Sequence, residues 1–239
     1  MILQREFLAS SKCSYLENKE QTLHYKVLEH CETHECEALV ERGFRRFGAS
    51  FFRPVCDGCD ECKTIKIIAD EFVFSKSARR VLRKAKDITT HIQKPTMSKE
   101  HLRLFEKYHL HMRDKKGWEY TNITPQHYYN SFVDAHHDFG YEILYFYKDE
   151  LIGVDLIDML DDGISSIYFY YDPDFSHYAL GKLSLYNQIL LCKKLQKRWV
   201  HLGYYVKDCS SLSYKAEYKP YLTLRDRPLL SQPFVYDLI

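Results

Sequence analysis

Three short stretches hold the residues with the most chemistry to offer. Cys56-Asp57-Gly58-Cys59-Asp60-Glu61-Cys62 sets three thiols at a doubled Cys-x-x-Cys spacing. Thiolates so spaced reach one soft metal ion from a single tight turn, which Gly58 permits, and Cys13 is the candidate fourth ligand. A set of reduced, unliganded cysteines is the plain alternative. Gly43-Phe44-Arg45-Arg46-Phe47-Gly48, followed by Phe51-Phe52-Arg53-Pro54, holds guanidinium groups on a bent, aromatic-lined backbone. Arginine forks grip carboxylate or phosphate bidentately, so Arg45 and Arg46 read as an anion site, against the alternative of surface ion pairs. Ser75 to Lys86 carries Lys76, Arg79, Arg80, Arg83, Lys84 and Lys86 without one acid. A helix capped by Ser75 or Ser77 with that charge is either a reader of phosphate backbone or a solvated face.

The elements that must position these groups are best defined between Tyr168 and Pro220. A strand of Tyr and Phe stops at Asp172-Pro173, because the residue before proline is pushed out of helical dihedrals. Ala179-Leu180-Gly181 then opens a helix with Leu180, Leu183, Tyr186 and Leu190 at helical spacing. Trp199 to Val206 returns as a second strand. Strand, turn, helix and adjacent strand form the heart of an acyl-transfer fold of the GNAT kind, with the helix N-terminus toward the acyl donor. Upstream, Leu102, Phe105, Tyr108 and Met112 mark a helix over 98–112, and Thr124-Pro125 starts another. Strands are expected at Tyr141–Tyr147, Leu151–Met159 and Ile164–Tyr171, with turns at Asp149-Glu150 and Asp161-Asp162-Gly163. The fold class is therefore α/β (α+β). The single boundary falls near Pro95: an N-terminal module over 1–95 with the cysteines and the basic helix, and a GNAT-like core over 96–239.

Composition narrows the function classes. The 239 residues carry a formal net charge of +1, so any nucleic-acid contact must come from a local patch. Eight cysteines without an apolar leader suit a reducing compartment, and no run of about 18 apolar residues suggests a membrane span. The expectation is a cytoplasmic protein that does not contact a membrane. No P-loop, dinucleotide-binding loop, His-Glu-x-x-His or Gly-x-Ser-x-Gly is present. The strand-to-helix turn Ser176-His177-Tyr178-Ala179-Leu180-Gly181 lacks the arginine and paired glycines of a coenzyme-A turn. An anion at that helix N-terminus, such as a tRNA 3′-end, remains physically sensible.

Several pieces together resemble the bacterial leucyl-tRNA–protein transferases, related to the arginyl-tRNA–protein transferases. They are Cys13-Ser14-Tyr15-Leu16, Gly43-Phe44-Arg45-Arg46, Arg53-Pro54 with Cys56, Cys59 and Cys62, and Ser75 to Arg80. The series continues with Tyr171-Asp172-Pro173-Asp174, Leu180-Gly181, Leu202-Gly203-Tyr204, Cys209, and Tyr214-Lys215 before Pro220. Tyr178-Ala179 stands where that family usually has Arg-Ser, and Ser211-Leu212 where it favours Lys-Met.

The resemblance implies transfer of an aminoacyl group, leucine in this branch, from aminoacyl-tRNA to proteins with an N-terminal Asp or Glu, creating an N-degron. It implies substrate-binding roles around Tyr15, Arg45, Arg46, Arg53, Gly181 and Tyr204, and tRNA contacts from Arg79, Arg80, Arg83 and Lys84. It also implies zinc or an iron–sulfur cluster on Cys13, Cys56, Cys59 and Cys62. The chemistry itself requires no cofactor, since the ester is already activated. Asp172, beside Tyr171, is the candidate to position or deprotonate the accepting amine, against the commoner role of capping a turn. Lys215 with Tyr214 could steady the ester carbonyl or the terminal phosphate, against that of a surface lysine. Three alternatives stay open: arginyl transfer, a coenzyme-A-dependent acetyltransferase, and a metal-stapled RNA-binding module without catalysis.

Overall fold

The structure is a computed structural model, which describes residues 1–120 and 122–239. Two sheets organise it. The first is antiparallel, built from β1 (Ile2–Lys12), β2 (Glu20–His30), β3 (Arg45–Phe47) and β4 (Ser50–Pro54) in the order β1-β2-β4-β3. Helix α1 (Thr33–Val40) packs Cys36, Leu39 and Val40 into a small core with Leu28, Phe44, Phe51 and Phe139. Cys31 and Cys36 are buried there as apolar filler, and burial pushes the Cys31 thiol up to about 12.

The second sheet has eight strands. They are β5 (Lys63–Ile68), β6 (Ile88–Gln93), β7 (Gly140–Tyr147), β8 (Glu150–Met159), β9 (Gly163–Tyr171), β10 (Trp199–Tyr205), β11 (Tyr221–Arg225) and β12 (Val235–Leu238). Their order is β12-β11-β5-β10-β9-β8-β7-β6. The meander β7-β8-β9 forms at the expected turns, and β10 lies parallel to β9 after the crossover helix α5 (Leu180–Lys194). A parallel neighbour reached through a helix is the strand–helix–strand heart expected of a GNAT-like core.

The boundary at residue 95 does not divide these sheets. β5 sits between β11 and β10 in the middle of the large sheet, and β6 forms its far edge against β7. The basic helix α2 (Lys76–Lys84) also belongs here, because Ala78 and Ala85 are buried in the same core as α5. What is separate in sheet terms is residues 2–54. A run such as Lys-Thr-Ile-Lys-Ile-Ile, half alternating and half apolar, carries no mark of which sheet it joins; partner strands decide that.

Both faces of the large sheet are covered. α5 buries Leu180, Leu183, Tyr186 and Ile189 against one face, each worth about 1.5–3 kcal/mol when removed from water. Leu190, expected on that stripe, is 40% exposed; apolar residues surround so much of α5 that four positions do not define its face. On the other face lies α3 (Lys99–Lys116), capped by Ser98 and closed by left-handed Gly117. α4 (Pro125–Tyr128) follows, capped by Thr124 and continuing into a π-helical turn over Tyr129–Val133. Leu104, Phe105, Tyr108, Met112 and Tyr128 form the core on that side.

Candidate active site where two parallel strands part

β9 and β10 pair over three residues only, Gly163–Ser165 against Trp199–His201, and then separate. Arg45 fills the gap. Its Nη1 donates to Leu202 O on β10 at 3.0 Å and its Nη2 to Ile167 O on β9 at 2.7 Å. One guanidinium thus satisfies carbonyls that lost their ladder partners, which are costly to leave bare. Gly203 makes this possible. Its φ of +72° is a glycine conformation, and an added Cβ would fall on the Arg45 guanidinium. The Leu202-Gly203-Tyr204 piece seen in the sequence is therefore a seat for Arg45.

Around this half-buried cation the other predicted residues gather. Lys215 is buried, and its Nζ donates to Leu202 O and Tyr204 O at 2.7 Å each. Burial and then the Arg45 charge hold its ammonium well below the ordinary lysine range, with Cys209 opposing. The Arg45 charge also reaches the hydroxyls of Tyr15, Tyr204 and Tyr214. Beside it opens a cavity of about 180 Å³ whose walls include Tyr15, Leu23, Phe47, Phe52, Tyr204 and all four predicted cysteines. Tyr204 keeps its ring on that wall by donating its hydroxyl to Gly43 O at 2.9 Å.

Cys13 thus shares one cavity with Cys56, Cys59 and Cys62, which lie far from it in sequence, and burial pushes the Cys62 thiol up to about 12. Four thiols are a donor set that suits zinc or an iron–sulfur cluster. Among the described residues, no group of three or more His, Cys, Asp or Glu side chains is drawn close enough together to hold an ion. Arg227 braces the cysteine turn, donating to Cys62 O and to Pro54 O.

Four predicted residues are placed otherwise. Arg46 is committed to the interior: it is buried and forked onto Asp158 at 2.9 and 2.5 Å, with Nη1 on Gly48 O and Ala135 O. It latches β3 to β8. Arg53 is buried as well, giving Nη1 to Arg42 O and Pro228 O while its guanidinium lies over Phe44. It ties the C-terminal segment to β4. Asp172 caps the turn after β9 through Asp174 N, and both its oxygens are engaged by Lys107 of α3, at 2.6 and 2.8 Å. A carboxylate so committed is a hinge pin for that turn rather than a free base. Tyr171 beside it is a wall residue packed on Tyr108 and Phe169.

Gly181 lies on the first turn of α5 with open space where a Cβ would stand. Arg79, Arg80, Arg83 and Lys84 are exposed on α2, and none has an acidic partner among the described residues.

Asp155 escaped the sequence reading. It is fully buried on β8 beneath the parting strands, with Ser184 Oγ at 2.6 Å and Gln188 Nε2 at 2.9 and 3.1 Å, both from α5. Burial raises its carboxyl to about 7, with those two hydrogen bonds opposing, and its charge reaches the Tyr214 hydroxyl. The signal was available: an acid inside the apolar run Leu151–Met159 must find a partner on the next layer.

A parted parallel pair, an unpaired cation between the strands and an open helix start suit acyl transfer from a large donor. The sequence relationships decide the family. Models of the arginine-tRNA-protein transferase C terminus and N terminus match residues 100–225 and 11–80. The chain belongs to the arginine-tRNA-protein transferase family. Its relatives include an aspartate/glutamate leucyltransferase of Campylobacter jejuni, 47% identical over 87% of each chain. The enzyme of the same name from Helicobacter hepaticus is 42% identical over 98% of this chain and 97% of its own. That of Saccharophagus degradans is 34% identical over 87% and 88%. Among solved structures, FemX superposes with a TM-score of 0.46 at 9% identity, over 83% of this chain and 79% of its own. The two family matches fall on either side of residue 95. Among the described residues, no helix is long and apolar enough to cross a membrane.

Proposed function

We propose that this transferase moves the leucyl group of leucyl-tRNA to the α-amine of proteins beginning with Asp or Glu. Near-full-length relatedness to enzymes of that name supports the donor and acceptor assignment. The observation that carries it in the fold is Arg45, which has no acidic partner among the described residues, sits between β9 and β10, and acts electrostatically on Tyr15 and Tyr204 of the cysteine-walled cavity. A carboxylate entering that site loses its water, which costs heavily unless an arginine meets it.

The reaction asks little covalent work of the protein. The ester is activated, and an α-amine with a pKa near ~7.7–8.0 is partly neutral at cellular pH. Proximity, loss of one proton and stabilisation of the developing oxyanion remain to be supplied. In this reading Arg45 receives the acidic side chain of the acceptor, and Lys215 and Tyr214 line the position of the ester carbonyl. Gly181 leaves room for the donor at the start of α5, and the exposed cations of α2 receive tRNA phosphates. Cys13, Cys56, Cys59 and Cys62 would hold zinc or an iron–sulfur cluster, which would staple the cavity wall; no step of transfer depends on it.

The test is Arg45→Ala assayed on peptides beginning with Asp and with Asn. Removing the arginine should cost about 2–5 kcal/mol in transition-state binding for the charged acceptor, whose carboxylate is left unpaired. The loss on the Asn peptide should be much smaller. Equal losses on both peptides would assign Arg45 to holding the strands alone.

A further inference from the structure

At the end of the large sheet, the turn after β9 and the tip of the β7–β8 hairpin build an aromatic surface beside α2. His177 is exposed and lies against Tyr178, with ring centres 4.2 Å apart. Phe175 stacks nearly parallel to both, at 6.4 and 6.5 Å, and Tyr147 closes the group at 5.6 Å from Phe175 and 5.8 Å from Tyr178. Two lysines flank it: Lys84, the last residue of α2, lies over Tyr178, and Lys148 over Tyr147. Asp174, the acid on the same turn, is held by Lys107.

Such a surface is poorly explained as core. His177 and Lys148 are exposed, while Tyr147, Phe175 and Tyr178 rest on the rim of the core and stay partly open to solvent. Flat rings bordered by cations suit unpaired nucleobases, because every base has a π-face and neighbouring phosphates meet the lysines. A double helix offers no free base face, so the fitting occupant is a single-stranded end. The platform also lies on the turn that leads into α5, with Lys84 of α2 over Tyr178 and Gly181 on the first turn of α5 just beyond it.

We propose that His177, Tyr178 and Phe175 form a stacking platform for the unpaired 3′-terminal nucleotides of the donor tRNA. This rests on the aminoacyl-tRNA reading above. Asp87 is within electrostatic reach of Tyr178, so the surface is not purely basic. The rings contribute by stacking, and removing them leaves Lys84 and Lys148 in place, so weaker binding caused by their loss should leave the salt slope unchanged.

The experiment compares full-length protein binding to one uncharged tRNA with its 3′ end intact and to the same tRNA trimmed of its unpaired 3′ nucleotides. The parent should prefer the intact form. The double variant His177→Ala, Tyr178→Ala should bind intact tRNA about tenfold or more weakly. Its affinity for trimmed tRNA should match the parent's, and its salt slope should not move. His177→Phe with Tyr178→Phe should restore binding, which a role through imidazole or hydroxyl hydrogen bonds would not predict, while unchanged binding of trimmed tRNA by the Ala variant sets aside a folding defect. The proposal is overturned if the parent binds both tRNAs equally, if the Ala variant loses both alike, or if the Phe variant fails to recover. No binding of either tRNA by the parent would overturn the aminoacyl-tRNA reading along with it.

Discussion

Two adjacent arginines with the same chemistry have opposite fates, and neighbours decide which. Arg46 points into the interior and meets Asp158; Arg45, one residue earlier on β3, points to the parting strands and meets only carbonyls. Arg46→Ala should therefore destabilise the fold by about 3–5 kcal/mol, because it strands a buried carboxylate. Urea unfolding would measure this, and a loss under about 1 kcal/mol would refute the latch. Asp155 gives a prediction in pH. Its folded pKa, about 7, lies above the unfolded value near ~3.9, so the folded state binds the extra proton between those limits. Its contribution to stability is full below about pH 4 and is lost as pH rises through about 7. Relative to the parent, Asp155→Asn should gain stability as pH rises over that window; a constant difference would mean that the carboxyl titrates normally.

At the scale of elements, the regular pieces of the core were legible and the site's assembly was not. Ser98, Thr124 and Ser75 announce their helices by capping, and Asp161-Asp162-Gly163 announces a hairpin, because those signals act over a few residues. β1 and β5 have no comparable local signal. Ile2–Lys12 is exposed on both faces and does not alternate, so only its pairing with β2 makes it a strand. The cysteines and Arg45 were visible as residue types, but their meeting depends on long-range register. The engagement of Asp172 was hidden for the same reason: Lys107 comes from a helix about sixty residues earlier. Neutral replacement of Arg79, Arg80 and Arg83 together should lower the salt slope of tRNA binding by about 1 for each phosphate no longer neutralised, alike for all tRNAs. An unchanged slope would put the tRNA elsewhere. For the cysteine turn, Cys59→Ser should reduce zinc or iron per chain, read by elemental analysis and visible absorbance on anaerobically prepared protein. Metal content equal to the parent's would remove Cys59 from the ligand set.

Taken whole, the molecule brings its N-terminal sheet and its large sheet together through side chains as much as through strands. Arg46 reaches Asp158, Lys66 forks onto Glu41, and Arg53 and Arg227 hold the C-terminal segment across β4 and the cysteine turn. The site lies on that seam: Arg45 comes from the small sheet, Lys215 and Tyr214 follow the large one, and the cavity draws its wall from both. The measurement that bears most directly on this account is transfer by the purified parent protein from leucyl-tRNA and, separately, arginyl-tRNA to peptides beginning with Asp, Glu, Arg or Lys. Leucine should appear on the Asp and Glu peptides and not on the Arg or Lys peptides, with little transfer of arginine to any. Efficient arginine transfer without leucine transfer, or labelling of basic N-termini in preference to acidic ones, would contradict it.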